Sequence, residues 1–262
     1  MAAQVNPIIT FTTDFGTRDG YVGQMKGVIL GINPDVRLID ITHEIRPFEV
    51  LEGALVLKGL GRYFPEGTIH VAVVDPGVGG ARRGMVLRCD GRYYVGPDNG
   101  LCSLVIGPVS QWEAREILNP EFMVPRPHPT FHGRDVFAPV AAHLSTGKSF
   151  DGVGPQIENP VILPIPVAEH TSEGMEGQVI YVDQFGNLTT NIEAEMLNRP
   201  VKTVAVGDVV ITGIGRFFAE VPQGAPLALI NSFGLLEIAV NRGNAASFLG
   251  AGKGMKVRVT CG

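Results

Sequence analysis

The chain of 262 residues has few of the features that crosslink or anchor a protein. It holds only three cysteines, an odd number without a Cys-x-x-Cys pair, which predicts neither a disulfide framework nor a structural zinc site. No run reaches the roughly 18 consecutive apolar residues of a membrane helix, and the first residues do not resemble a signal peptide. We therefore expect a cytoplasmic protein without a membrane partner.

The patterns of charge and of histidines argue against nucleic-acid binding and against metal binding. The 21 basic and 26 acidic side chains give a net charge of −5, and no lysine or arginine cluster could neutralise a nucleic-acid backbone. None of the six histidines has His-x-x-x-His spacing or a cysteine partner, so we expect no metal site. The expected partner is a small molecule.

Apolar periodicity in the first half alternates between strand and helix spacing. This order predicts an α/β domain with a mostly parallel sheet and flanking helices. A hairpin turning at Asp90-Gly91 and a helix over 136–147 should follow. The predicted elements of the βαβαβ segment are strands at 8–15, 36–42 and 68–75 and helices at 21–32 and 48–64.

Prolines accumulate between about 148 and 172, which predicts an extended linker between two domains. The expected domains are 1–160, of α/β type, and 161–262. The second contains seven short apolar runs divided by glycine or asparagine turns and no strong helix. We expect a small β-barrel-like domain there.

The segment VVDPGVGGAR and the later FHGRD supply the most reactive set of side chains: Asp75, Arg82 and His132. An arginine stays protonated and can hold or activate a ligand, whereas a carboxylate or an imidazole can accept a proton. Such a set could activate water. The alternatives are a plain Asp-Pro-Gly turn after a strand and a glycine-rich backbone nest for an anion.

Polar residues after other strands are further candidates for ligand contacts. Asp14 follows a strand, where its carboxylate could bind a ribose diol or simply cap the next helix, and Asp19 lies just beyond. The carboxyl ends of parallel strands share one edge, so Asp14 and Asp75 should face one crevice. In the second domain, an aromatic ring beside amides suits a purine, although such turns are common in β-domains. The candidates there are Asp183, Phe185, Asn187, Asn231 and Ser232.

Ordered motifs from about residue 8 to the C-terminus resemble one known family, the adenosine-forming S-adenosylmethionine (SAM) hydrolases. These enzymes, also called SAM hydroxide adenosyltransferases, are homologous to SAM-dependent fluorinases and chlorinases. The motifs are TTDFGTRDGYVGQMKG, INPDVRLIDITHEI, GALVL, YFPEGTIHVAVVDPGVG, VGPDNGL, TFHGRDVFAP, DQFGNLTTN and NSFGLLEIAVN.

The resemblance implies a homotrimer with active sites between the first domain of one subunit and the second domain of its neighbour. It also implies hydrolysis of SAM to adenosine and L-methionine without a metal or cofactor. Asp75, Arg82 and His132 match the residues that handle water, with the adjoining Arg83 as the alternative arginine.

The same resemblance implies the roles of the remaining site residues. Asp14 is expected at the ribose hydroxyls, and Phe48 and Phe185 as walls of the pocket. Asn187 and the backbone near Ala245 are expected at adenine. The residues expected at the amino-acid end of the substrate are Asp19, Asp183 and Ser232.

Three alternatives to hydrolysis remain open. In the halogenases a tyrosine and a threonine stand at the positions of Asp75 and Val78, Tyr-Ser replaces His132-Gly133, and an arginine replaces Phe233. This chain therefore lacks the halide-binding hydroxyls, which argues against a halogenase. The others are a non-catalytic adenosine- or SAM-binding protein and a generic phosphate-binding α/β enzyme.

Overall fold

The computed structural model describes residues 6–107 and 110–262. The chain divides into two compact units, the first ending at Leu163 and the second running from Pro164 to Gly262. Each unit has its own apolar core.

The first unit alternates strands and helices as its periodicity predicts. Its helices are α1 (Tyr21–Ile32), α2 (Val50–Leu60) and α3 (Ala138–Ser145), the last preceded by a π-helical turn at Gly133–Phe137. Its strands are β1 (Ile8–Thr13), β2 (Arg37–Thr42), β3 (Ile69–Val73), β4 (Gly84–Cys89), β5 (Arg92–Pro97), β6 (Trp112–Glu116) and β7 (Gln156–Ile157).

The seven strands form one sheet in the order β2-β1-β3-β5-β4-β6-β7. The pairs β1/β2, β1/β3 and β3/β5 are parallel, whereas β4 turns back from β5 as the predicted antiparallel hairpin. Thr13 of β1 is in register with Val73 of β3, so the residues that follow these strands emerge at the same edge. This register determines where the site lies.

Helices α1 and α3 pack on the sheet through an apolar core. Val22, Met25 and Ile29 are spaced three or four residues apart on α1 and are all buried. Every residue of β3 is buried, including His70, whose Nδ1 lies 2.7 Å from Thr10 Oγ1 of β1. Burial, together with the nearby charge of Arg92, lowers the pKa of His70 to about 4, so this core histidine is neutral.

The structure corrects the prediction of an extended linker over 148–172. Phe150 and Val153 are buried in a 3-10 turn, and strand β7 pairs with β6 of the first sheet. At the other end, β8 (Glu169–His170) pairs with β9 (Gly174–Val182) of the second unit. Proline density indicated the absence of helix, but the backbone still finds partners in each unit.

The second unit forms an antiparallel, barrel-like sheet, as predicted. All seven apolar runs are strands: β9 (Gly174–Val182), β10 (Leu188–Glu193), β11 (Val201–Val206), β12 (Val209–Thr212), β13 (Pro226–Ile230), β14 (Leu235–Val240) and β15 (Lys256–Cys261). Their order in the sheet is β12-β11-β15-β9-β10-β14-β13, with β8 attached to β9.

One short helix, α4 (Ala245–Leu249), accompanies this sheet. Its first turn is capped by the side chain of Asn244, which accepts a hydrogen bond from Ser247 N. Within the described ranges of the chain, no helix is long and apolar enough to span a bilayer.

Candidate functional site

Strand β3 delivers Asp75 to the edge of the first sheet. The strand ends at Val73, and Asn99 Nδ2 donates a 2.8 Å hydrogen bond to Val74 O, which holds the chain as it leaves the sheet. The turn after Asp75 closes through hydrogen bonds from Val78 N to Asp75 O and from Gly80 N to Gly77 O. The side chain of Asp75 is only 4% exposed.

The loop after Asp75 can approach the loop before His132 because residue 79 is glycine. Gly79 has a φ of +74°, and a Cβ there would lie 2.4 Å from Pro129 O. Any other residue would push these two loops apart. The glycine in the loop after Asp75 thus allows the loop that carries His132 to lie close by.

Asp75, Arg82 and His132 form one connected set. Arg82 Nε donates to Asp75 Oδ1 at 3.0 Å, and Arg82 Nη2 donates to Asp75 Oδ2. The same Nη2 lies 2.8 Å from His132 Nδ1. The neighbouring Arg83 instead donates from Nε to Asp98 Oδ2 at 2.8 Å. The structure therefore brings Arg82, and not Arg83, to the other two residues.

The contact with Arg82 determines which nitrogen of His132 carries hydrogen. A guanidinium has only donors, so Nδ1 must accept and the neutral ring carries its hydrogen on Nε2. Burial and the charge of Arg82 lower the pKa of His132, with Asp75 opposing. At neutral pH the ring is thus uncharged, and its Nε2–H is free to donate to a ligand.

A cavity of about 470 Å³ opens beside this set. Asp75 and His132 line it, whereas Arg82 bridges the two without being part of the lining. Val78 also lines the cavity, with Gly133 at the start of the π-helical turn. A Cβ on Gly133 would lie 3.2 Å from the ring of Phe131, so a side chain at this position would crowd the wall.

Three aromatic rings in the wall of this cavity were not among the predicted residues. Tyr21 lies edge-on to Phe131 at a centroid distance of 5.3 Å, and Phe15 lies 5.8 Å from Tyr21 and 6.0 Å from Phe131. Each ring lies one or two positions in sequence from a predicted site residue. That adjacency was the available signal. The three rings give one side of this cavity an apolar wall.

Asp14 lies at the same sheet edge but outside the cavity lining. Its Oδ2 accepts a 2.9 Å hydrogen bond from Phe48 N, and burial raises its pKa, with the charge of Asp75 acting in the same direction. Phe48 has a φ of +69°, and the residue is 69% exposed. Asp19 is exposed on the loop that follows Asp14 and does not line the cavity.

The second unit has a cavity of about 780 Å³ of its own. Five of the six predicted residues of this unit line it: Asp183, Phe185, Asn187, Asn231 and Ser232. Ala245, the sixth, is fully buried at the start of α4 and is not part of the lining.

The turn between β9 and β10 is organised by Asp183. Its Oδ1 accepts from Phe185 N at 2.9 Å and from Asn187 N at 2.8 Å, and its Oδ2 accepts from Asn187 Nδ2 at 2.9 Å. Phe185 between these groups is 74% exposed. Ala246 N of helix α4 donates to Gly186 O, so the backbone beside Ala245 lies against this turn.

Two family models match the chain in succession. The SAM hydroxide adenosyltransferase N-terminal domain matches residues 9–154, and the SAM hydroxide adenosyltransferase C-terminal domain matches residues 177–258. The chain belongs to the SAM hydroxide adenosyltransferase family. The resemblance drawn from the sequence motifs is thereby confirmed.

Named members and relatives of the SAM hydroxide adenosyltransferase family match the chain over nearly its whole length. A protein of Salinispora arenicola named (R)-S-adenosyl-L-methionine hydrolase is 40% identical, over 98% of each chain. A fluorinase of an Actinoplanes species is 33% identical, over 99% of each chain.

A solved structure supports the fold. The crystal structure of an uncharacterized conserved protein from Thermotoga maritima has a TM-score of 0.89 and 38% identity, covering 96% of this chain and 99% of that one. The predicted combination of an α/β part and a barrel-like part is confirmed.

Proposed function

We propose that this chain hydrolyses SAM by attack of water at C5′ of the ribose, giving adenosine and L-methionine. The observation that carries the proposal is the connected set of Asp75, Arg82 and His132 at the wall of a cavity. Family membership supports the substrate, since relatives at about 40% identity are named SAM hydrolases. We also propose that the substrate is the R form of SAM, the form in the names of these relatives.

The reaction forms one C–O bond and breaks one C–S bond. The electron pair of the C5′–S bond stays on sulfur, which leaves as the neutral thioether of methionine, and the water oxygen becomes the 5′-hydroxyl of adenosine. One proton is released. Because the sulfonium is already a good leaving group, the chemical difficulty lies in aligning and deprotonating water.

The hydrogen-bond pattern favours Asp75 over His132 as the proton acceptor. His132 Nδ1 is occupied by Arg82 and its Nε2 carries hydrogen, so the ring can donate to the water oxygen and orient it. The carboxylate of Asp75 keeps lone pairs beyond those that Arg82 uses. Arg82 would stabilise the hydroxide character that develops as the proton moves to Asp75.

The remaining contacts divide between the units. In the first, Asp14 would bind the ribose hydroxyls, beside Phe48. In the second, Asn187 and the backbone near Ala245 would bind adenine against Phe185. The residues proposed for the amino-acid end are Asp19, Asp183 and Ser232, with Asn231 supporting the last.

We also propose a homotrimer in which the first unit of one subunit and the second unit of its neighbour meet around one substrate. The reaction needs no metal or organic cofactor, because the leaving group is neutral on departure and Arg82 supplies the cation near the nucleophile. Cytoplasmic location belongs to the same proposal. The three cysteines are free, which suits a reducing compartment.

The direct test is incubation of the purified protein with resolved R and S forms of SAM, followed by chromatography. We expect adenosine and methionine in equal amounts, with the R form consumed faster. Addition of chloride or fluoride should leave the product unchanged. A 5′-halo-adenosine product would instead establish a halogenase, and bound but unconverted SAM would establish a binding protein.

A further inference from the structure

Glu237 is a buried carboxylate in a strand of apolar residues. It lies in the middle of β14, where all six residues are buried, and it is 7% exposed. The ion pairs identified among the described residues do not include Glu237. A buried carboxylate without an ion-pair partner costs free energy that an apolar side chain of similar size would avoid.

The contacts of Glu237 lead to the cavity of the second unit. Its Oε2 accepts a 3.1 Å hydrogen bond from Asn231 Nδ2 and a 3.3 Å hydrogen bond from Thr189 Oγ1. Glu237 itself lines the cavity together with Asn231. Burial raises the pKa of Glu237, and the nearby Asp183 raises it further. Glu237 is thus kept in an environment unfavourable to its charge, where it binds Asn231, a predicted site residue.

The side chain of Asn231 connects Glu237 to the turn between β13 and β14. While its Nδ2 is held by Glu237, its Oδ1 accepts from Phe233 N at 3.0 Å and from Leu235 N at 3.1 Å. The amide therefore has a single orientation, since a flipped amide would place donors against the backbone N–H groups. Ser232, exposed at the tip of this turn, lines the cavity.

We propose that Glu237 is a substrate-positioning residue: by holding the Asn231 amide it fixes the 231–235 turn that presents Ser232 to the ligand. The role belongs to the carboxyl oxygen as a hydrogen-bond acceptor. Glu237 does not take part in the chemistry at C5′. The inference rests on the proposed function for its choice of SAM as ligand.

Two variants of Glu237 separate the acceptor from the charge. Glu237→Gln retains an oxygen for Asn231 and Thr189, and we expect its KM for SAM to stay within about threefold of the wild-type value. Glu237→Leu fills the space but removes the 3.1 Å acceptor of Asn231 Nδ2, which keeps only its 3.3 Å contact with Thr189 Oγ1. The loss should raise KM about 5- to 100-fold with little change in kcat, as expected when a buried donor loses its acceptor.

A double-mutant cycle with Asn231→Ala tests whether Glu237 acts through Asn231. The double variant should have a KM close to that of Asn231→Ala alone, because the second residue has nothing left to position. The matched control is Glu176→Leu on β9, whose carboxylate pairs with Lys256 on the exposed side of the same sheet. It should not change KM.

Three results would overturn the inference: additive effects in the cycle, a Gln variant as impaired as the Leu variant, or an unchanged KM in Glu237→Leu. The second would assign the role to the charge. If turnover is absent, the wild-type protein and the variants can be compared by their dissociation constants for SAM, measured by calorimetry. A wild-type protein that binds SAM without releasing adenosine would contradict the proposed function while leaving the test of Glu237 intact.

Discussion

The two cavities use their charged residues differently. In the first unit Asp75, Arg82 and His132 contact each other at the cavity wall, so a change in one alters the proton positions of the others. In the second unit Asp183 is bound by the backbone and amide groups of its own turn, and the exposed ring of Phe185 is left for contact. The first arrangement suits chemistry and the second suits binding.

The largest effect should follow from removing members of the set proposed as catalytic, Asp75, Arg82 and His132. Asp75→Asn and His132→Ala should each lower kcat about 100- to 10,000-fold, because proton transfer and water orientation are lost. KM should change far less. Steady-state kinetics with SAM measures both constants.

Arg83→Met is the matched control for that comparison. Arg83 adjoins Arg82 in sequence but binds Asp98 and the backbone at Asn159. Its loss should lower the melting temperature while kcat of the folded protein stays near the wild-type value. If Asp75→Asn and His132→Ala kept the wild-type kcat, the division between the cavities would be wrong.

The next largest effect concerns the second cavity. Phe185→Ala should raise KM about 5- to 100-fold, the range expected for a lost base-stacking contact, with kcat nearly unchanged. Phe248→Ala, an exposed ring on α4 that does not line the cavity, is the control. A fall in kcat without a change in KM would place Phe185 in the chemical step.

A smaller effect should appear in the titration of His132. Its pKa lies below the ordinary 6.5 because of burial and the charge of Arg82. Protonation would place a donor on Nδ1 against the Arg82 guanidinium, so activity and stability should both fall as pH drops below 6.5 through the folded-state pKa.

Nuclear magnetic resonance can follow this titration directly. In Arg82→Met the pKa of His132 should be higher than in the wild-type protein, because one of its two lowering causes is gone. An unchanged or lower value would show that Arg82 does not face Nδ1. Asp75→Asn should change the pKa in the opposite direction, because the charge of Asp75 raises it.

The smallest effect concerns the positive φ of Phe48 in the first unit. Phe48→Gly should be about 1 kcal/mol more stable than Phe48→Ala in urea unfolding, since only glycine adopts this conformation without strain. Both variants lose the ring and should show similar increases in KM. Equal stability of the two variants would mean that residue 48 changes its backbone conformation when the ring is removed.

Local patterns predicted most of the regular structure. Apolar spacing identified α1 and β3, and turn residues at Asp90-Gly91 identified the β4–β5 hairpin. Strands β6, β7 and β8 were not predicted: β7 and β8 have two residues each, too few for a periodic signal, and three of the five residues of β6 are charged. They form because neighbouring strands offer them hydrogen-bond partners, and a local sequence pattern does not contain those long-range contacts.

The site was predictable only where motifs carried it. Family motifs indicated Asp75, Arg82 and His132, with Arg83 as the alternative arginine, and only the folded unit shows that the two arginine side chains have different partners. Glu237 went unnoticed because one glutamate in LLEIAV does not disturb the pattern of a strand. The approach of Gly79 to Pro129 depends on a contact between distant loops.

The most direct test of water activation is hydrolysis of SAM in oxygen-18 water, followed by mass spectrometry of both products. One labelled oxygen should appear in the 5′-hydroxyl of adenosine and none in methionine. Adenosine without label, or label found only in methionine, would contradict attack of water at C5′.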